Sequence, residues 1–244
     1  YPETESVSVF GGEELSPPQY GKVFITIKPF YGPYVPDSIK NNLQSMLRKY
    51  SVAGIVTEIQ DLKYLYIEAH INAYYNPSLA ANSGAVKTVV SNNINTYADS
   101  SEMNQYGAKF KYSKFQAVVD NSNDSITSNI TKIEIRRDLK PALNQNAEYE
   151  LCFGNSFYIK DNNGYNIKSS GFNIFGVSDT VYLSDIPNEE GNTGTLFLFT
   201  LLARSNPTIV SNNVGTIDYR KGEILIKPIN ISSTSKQVQN IPII

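Results

Sequence analysis

Apolar positions along this chain change their period more than once, and the changes predict its elements. From Lys22 to Lys28 (KVFITIK) Val23, Ile25 and Ile27 alternate with Phe24 and Thr26, and apolar residues on both faces predict a central strand. Ile39, Leu43, Met46, Leu47 and Tyr50 then recur at helical spacing. Asp37 or Ser38 stands where an N-cap is wanted, and Arg48 and Lys49 lie in the last turn, where cations suit the helix dipole. Two strands follow, Gly54–Ile59 and Leu62–Tyr74. In the second, Leu65, Ile67, Ala69, Ile71 and Ala73 face one way and Tyr64, Tyr66, Glu68, His70 and Asn72 the other. Val86, Val89, Val90, Ile94 and Tyr97 predict a second helix over Ser83–Ala98. Gly107–Tyr112 fits both templates, and Ser113 caps a short helix through Val119. Ile126–Ile135 reads as a strand whose apolar parity changes between Ile130 and Ile133, which predicts a bulge or break.

Strand–helix–strand–strand–helix–strand is the order of a ferredoxin-like, split βαβ domain with helices on one face of a mixed or antiparallel sheet. It is expected to occupy residues 22–140. Residues 1–21 form a strand, Glu5–Phe10, and a polar, proline-rich loop through Gly11, Gly12, Pro17, Pro18 and Gly21, continuing from an upstream domain. Beyond Pro141 the helical period disappears. Tyr149–Phe153, Phe157–Lys160, Tyr165–Lys168, Thr180–Leu183, Thr195–Leu202, Thr216–Tyr219 and Glu223–Pro228 are short apolar segments spaced by turn signals such as Asn162-Asn163-Gly164 and Arg220-Lys221-Gly222. Residues 141–244 therefore read as an all-β sandwich or barrel, and the fold class as α+β followed by all-β. The polar tail from Asn230 ends in Ile241–Ile244, expected either to fray or to dock onto a partner.

Composition narrows the function. At 244 residues two compact units are expected, and 41% apolar against 18% charged residues, with 17 Tyr and 11 Phe, excludes disorder. Residues 1–140 hold 14 basic and 14 acidic side chains and residues 141–244 hold 7 and 9. Neither part has the cationic excess that binding nucleic acid demands, so no nucleic-acid partner is expected. The longest apolar run, Leu196–Ala203, falls far short of the ~20 residues of a membrane span, so no membrane partner is expected either. Tyr1–Phe10 lacks the basic start and apolar run of a signal peptide, and Tyr1 in place of an initiator Met predicts a chain continuing from something upstream.

Candidate chemistry is sparse. The single cysteine, Cys152, lies between Leu151 and Phe153 and reads as a buried small hydrophobe made under reducing conditions. The single histidine, His70, is on the polar face of a predicted strand, and no Gly-x-Ser-x-Gly elbow accompanies it. Glu13–Glu14 and Glu189–Glu190 are solvated loop pairs without the cleft that glycoside hydrolysis requires. Asp161-Asn162-Asn163-Gly164 reads as a hairpin turn, because Tyr165 and Asn166 break the calcium-loop pattern, and Gly191-Asn192-Thr193-Gly194 is too short to cradle phosphate. No catalytic residue, metal site or cofactor is expected. Asn129-Ile130-Thr131 and Asn230-Ile231-Ser232 match the glycosylation triplet by chance. What stands out is tyrosine. Phe30, Tyr31 and Tyr34 in a loop, and Tyr64 and Tyr66 at outward parity, are candidates for a protein–protein surface, since Tyr offers contact area at low rotamer entropy.

The run Phe10-Gly11-Gly12-Glu13-Glu14-Leu15, with Pro17-Pro18-Gln19-Tyr20-Gly21-Lys22-Val23-Phe24-Ile25-Thr26-Ile27-Lys28-Pro29, resembles the baseplate wedge subunit family of T-even contractile-tailed bacteriophages, related to the wider J-type baseplate proteins. Gly215-Thr216-Ile217-Asp218-Tyr219-Arg220-Lys221-Gly222-Glu223-Ile224-Leu225 is similar to the terminal β domain of that subunit, and the resemblance runs over essentially the whole chain. It implies the C-terminal portion of a structural, non-catalytic protein of the virion's tail baseplate, assembled in the host cytoplasm. Its implied partners are further copies of itself and other baseplate wedge proteins, joined into a ring around a central hub. Two competing readings remain from the residues: a tail-associated glycan-binding adhesin whose Tyr-rich loops stack on sugars, and a cell-wall hydrolase resting on His70 and scattered carboxylates.

Overall fold

The computed structural model describes residues 2–15, 17–32, 34–52, 54–80, 82–100, 102–201, 206–235 and 240–244. Pro33 of the first turn, and Leu202 and Ala203 of the longest apolar run, lie outside the described residues. The chain divides into two compact units, residues 1–63 with 70–131 and residues 64–69 with 132–244.

In the first unit β1 (Thr4–Gly11) runs antiparallel to β2 (Lys22–Pro29), and β2 runs parallel to β3 (Val56–Gln60), giving a three-stranded sheet in the order β1-β2-β3. Between the parallel strands lies α1 (Asp37–Leu47), tied to β3 where Gln44 Nε2 donates to the Thr57 carbonyl at 2.7 Å. The helix opens after Pro36 with no side-chain cap, and the apolar period ends before Tyr50, which is exposed. By contrast α2 (Ser83–Ala98) has the bounds its periodicity predicts, and the Asn82 side chain accepts from the Ala85 N–H at 2.8 Å. α3 (Tyr112–Asp120) packs on α2, with Phe115 against the rings of Tyr97 and Phe110 and Val119 fully buried. Gly12 is buried at the end of β1, and a Cβ there would stand 1.9 Å from the Gln19 carbonyl oxygen, so only glycine allows the lead-in loop to close back on the strand.

The expected ferredoxin-like sheet is not formed among the described residues. That arrangement needs its four strands in one sheet, whereas β2 and β3 pair directly in parallel and β4 (Tyr66–Tyr75) and β5 (Ile126–Leu139) belong to a separate sheet. Element order does not decide which strands pair. The long β2–β3 connection lets parallel neighbours form, and β5 continues past its predicted end to take the C-terminal β12 (Ile241–Ile243) as its neighbour. β5 runs without interruption from Ile126 to Leu139, through the position where a bulge or break is expected. There Ile130 faces out, 61% exposed, while Thr131 is buried, a polar residue inside and an apolar one outside.

In the second unit β6 (Asn146–Cys152), β7 (Phe172–Ile174), β8 (Val181–Pro187), β9 (Thr193–Thr200), β10 (Thr208–Asp218) and β11 (Glu223–Thr234) form one antiparallel sheet. Pairing of β10 with β11 closes five strands, β7 to β11, into a barrel, and β6 lies outside the ring on β11. Its core includes Leu151, Val181, Leu183, Leu196, Leu198, Ile217, Ile224 and Ile231, which alternate inward along their strands. β11 continues beyond Pro228, where the predicted strand stopped. The register against β6 shifts between Ile226 and Ile229, and that irregularity accommodates a residue with no N–H to donate. At the β10–β11 turn Gly222 has φ 69°, and a Cβ would meet the Asn155 carbonyl oxygen at 1.8 Å. The apolar tail neither frays nor waits for another molecule: Ile241 and Ile243 are fully buried, and β12 pairs with Leu139, Asp138 and Arg137. Phe157–Lys160 and Tyr165–Lys168 are not strands; they lie against the barrel through Phe157, Ile159 and Ile167.

Candidate interaction surface

Phe30, Tyr31 and Tyr34 lie in the loop that leaves β2. The Phe30 N–H donates to the Glu3 carbonyl at 2.9 Å, which ties the loop to the start of β1, and Val35 is buried at its far end. Between these anchors the aromatic side chains turn outward, with Tyr31 83% and Phe30 60% exposed. The first unit thus holds these three rings together on one loop.

Tyr64 and Tyr66 belong to the second unit and are half-buried. Their rings stack at 5.9 Å between centroids, and the Arg136 guanidinium lies 4.4 Å over the Tyr66 ring. Arg136 also hydrogen-bonds Glu68, and its Nε is 3.0 Å from Asp138 Oδ1. Outward parity brought Tyr66 under a cation rather than into solvent. Sequence spacing gives no sign of this, because Arg136 comes from β5.

Periodicity also passed over the apolar margin of the first sheet. Val7 and Val9 on β1 are 49% and 61% exposed, although they stand opposite Ile27 and Ile25 on the same face. Alternation of Val7 and Val9 with Ser6 and Ser8 carried that signal, but it reads equally as an inward face. The other face is occupied. Lys28 Nζ donates to the Asn104 carbonyl at 2.9 Å and pairs with Glu5 at 2.8 Å, and the Tyr106 hydroxyl is hydrogen-bonded to the Thr26 side chain. Burial raises the pKa of Tyr106, with the Thr26 hydrogen bond working the other way.

His70 is exposed, and no group of three or more His, Cys, Asp or Glu side chains among the described residues is placed to hold a metal. Cys152 is exposed rather than buried: on β6, Tyr149 and Leu151 take the inward positions, so the next residue must face out whatever its neighbours' hydropathy. Half-buried Arg137 has its pKa lowered by desolvation, with nearby Cys152 opposing the shift. Glu13–Glu14 lie in a short 3-10 turn and Glu189–Glu190 in the β8–β9 turn. Asp161–Gly164 is a turn closed by the Gly164 N–H to the Asp161 carbonyl at 3.2 Å, but it joins no two strands.

One buried polar cluster was invisible in the sequence. Asp185 on β8 is fully buried and accepts from the Ile167 N–H at 2.7 Å, from Asn166 Nδ2 at 3.0 Å and from the Tyr219 hydroxyl at 2.5 Å. Burial first, and Asp185 second, push the Tyr219 pKa well above the ordinary tyrosine value. The carboxylate fastens the 160–167 segment to the barrel, and its three donors satisfy a charge that burial alone would make costly.

The geometry offers contact surface, and comparison with known families gives it a setting. Residues 1–60 match baseplate structural protein gp6, C-terminal domain I, and residues 63–138 match baseplate structural protein gp6, C-terminal domain III. Residues 139–244, with the whole barrel, lie outside both matches. Comparison with curated proteins found no match. Two domains of one structural family, together matched over more than half of the sequence, make the assignment: the chain belongs to the gp6 baseplate structural protein family, whose place is the tail baseplate of the phage virion.

Proposed function

We propose that this chain is a non-enzymatic wedge subunit that self-associates and joins neighbouring wedges into a ring around the central hub. The observation that carries this is the first unit's outward-turned aromatic loop, with Phe30 and Tyr31 more than half exposed inside the region that matches a baseplate structural domain. Large apolar area left in water is stabilised by a neighbour, and Tyr and Phe are enriched where neighbours dock. A ring of identical copies needs repeated complementary patches and no active site. On tail contraction, each compact unit keeps its internal packing while its contacts with other subunits change.

Sedimentation velocity over a wide concentration range, alone and with other wedge proteins, tests the reading. Concentration-dependent association that Phe30→Ser with Tyr31→Ser weakens supports it. A particle that stays monomeric and ignores every other baseplate component contradicts it.

A further inference from the structure

The outer edge of β1 is the longer of the two open edges of the first sheet. β1 pairs with β2 on one side, and among the described residues no strand lies on the other. Eight residues, Thr4–Gly11, therefore present the unpaired half of their backbone N–H and C=O groups. The usual protections are missing. No Pro or Lys lies in the strand, its one charge, Glu5, is held by Lys28, and its register irregularity is confined to the Thr4–Ser6 end. Beside this edge stand Val7 and Val9, both exposed and both on the face that carries Ile25 and Ile27.

The sequence of the strand selects what covers it. Two copies related by a two-fold axis perpendicular to the sheet pair antiparallel and keep like faces together, so each possible register places one residue opposite itself. With the axis at Val7, each Val9 falls opposite the irregular Thr4–Ser6 end of the second copy. With the axis at Val9, Val7 meets Gly11. With the axis at Ser8, each Val7 meets the second copy's Val9. Only this register turns four half-exposed valines into one continuous apolar row.

We propose that β1 pairs antiparallel with β1 of a second copy, Ser8 opposite Ser8, joining two three-stranded sheets into one of six strands. This rests on the self-association proposed above and adds to the aromatic loop a second contact surface, the β1 edge. The second copy is favoured over an unrelated strand because the apolar pattern fits the strand to itself and its one charge is already held by Lys28.

Cysteine cross-linking of the full chain reads the register directly. The exposed native thiol is first removed with Cys152→Ser. Directly opposed Cα atoms in an antiparallel pair are about 4.5–5.5 Å apart, within disulfide range. Under mild oxidation Ser8→Cys gives a covalent dimer by itself. Val9→Cys alone does not, but mixing it with Val7→Cys does. In sedimentation velocity, Val7→Asp with Val9→Asp weakens dimerisation at least tenfold while far-ultraviolet circular dichroism stays unchanged. A monomer at every concentration overturns the self-association reading and this proposal with it. A dimer that survives both aspartates, with no Ser8→Cys cross-link, leaves self-association standing and overturns the β1 edge as its surface.

Discussion

The two units have similar lengths and unlike interiors. Among the described residues, the first buries seven hydrophobic side chains, Phe24, Ile27, Val35, Val86, Val90, Phe115 and Val119, while the second buries nineteen. In the barrel, closure pairs β7 to β11 on both sides, and the inward positions converge on one core. In the first unit the sheet has three strands, α1 has no fully buried residue, and Tyr20, Tyr31, Tyr50 and Val52 lie largely in solvent. A closed barrel completes its hydrogen bonds and its apolar contacts within itself. An open sheet with exposed aromatics leaves both for a neighbour to complete. Stability is thus expected to reside in the second unit, and association in the first.

The sharpest way to break this division is to open the barrel core. Leu196 is completely buried, and Leu196→Ala is expected to destabilise the second unit by about 3–5 kcal/mol through lost transfer energy and a residual cavity. Denaturant unfolding followed separately at cysteines labelled in each unit checks it. If both units lose stability equally, they are one cooperative body and the comparison fails. Asp185→Ala comes next, at about 3 kcal/mol, because it leaves the Ile167 N–H, Asn166 and the Tyr219 hydroxyl without their shared acceptor in a dry site. Asp185→Asn, which keeps an acceptor, costs less.

The same cluster makes the barrel sensitive to alkali. Tyr219 is 2% exposed, and its pKa in the folded state is raised above the ordinary value of about 10. Above that ordinary value the unfolded chain releases the phenolic proton while the folded chain keeps it. The unfolded state then binds fewer protons, so stability falls as pH rises. The contribution is fully present below about pH 10 and declines above it. Tyr219→Phe costs about 1–2 kcal/mol at neutral pH but flattens the alkaline decline in unfolding midpoint. A decline of unchanged slope in that variant places its origin elsewhere.

Much of the secondary structure was legible because local pattern decides it. Ser83–Ala98 follows from five apolar residues at helical spacing, and Lys22–Lys28 from strict alternation. Pairing was not legible. That β2 takes β3 as a parallel neighbour, and that β5 takes Ile241–Ile243, depends on contacts between residues far apart in sequence. Three-residue strands such as β7 are too short for any period to show. The candidate surface divides in the same way. Phe30 and Tyr31 stand out from a turn, whereas Tyr66 lies under Arg136 and Asp185 finds donors from two distant segments. Cys152 shows that strand parity can outweigh the hydropathy of immediate neighbours.

Tyr31 gives the smallest effect on stability and the cleanest separation of the two roles. Its ring is 83% exposed, so Tyr31→Ser removes little area that folding had taken from water, and the unfolding free energy is expected to move by no more than about 0.5 kcal/mol. Val35, a few residues on, is 4% exposed and anchors the same loop, so Val35→Ala is expected to cost about 1–2 kcal/mol. If the loop serves contact, Tyr31→Ser weakens association and leaves the melting curve alone. Val35→Ala, in contrast, lowers the melting temperature and weakens association only as far as the loop loses its shape. Equal losses of stability from both substitutions mean that the loop belongs to the core of the first unit, and that its exposed rings are not held there for a neighbour.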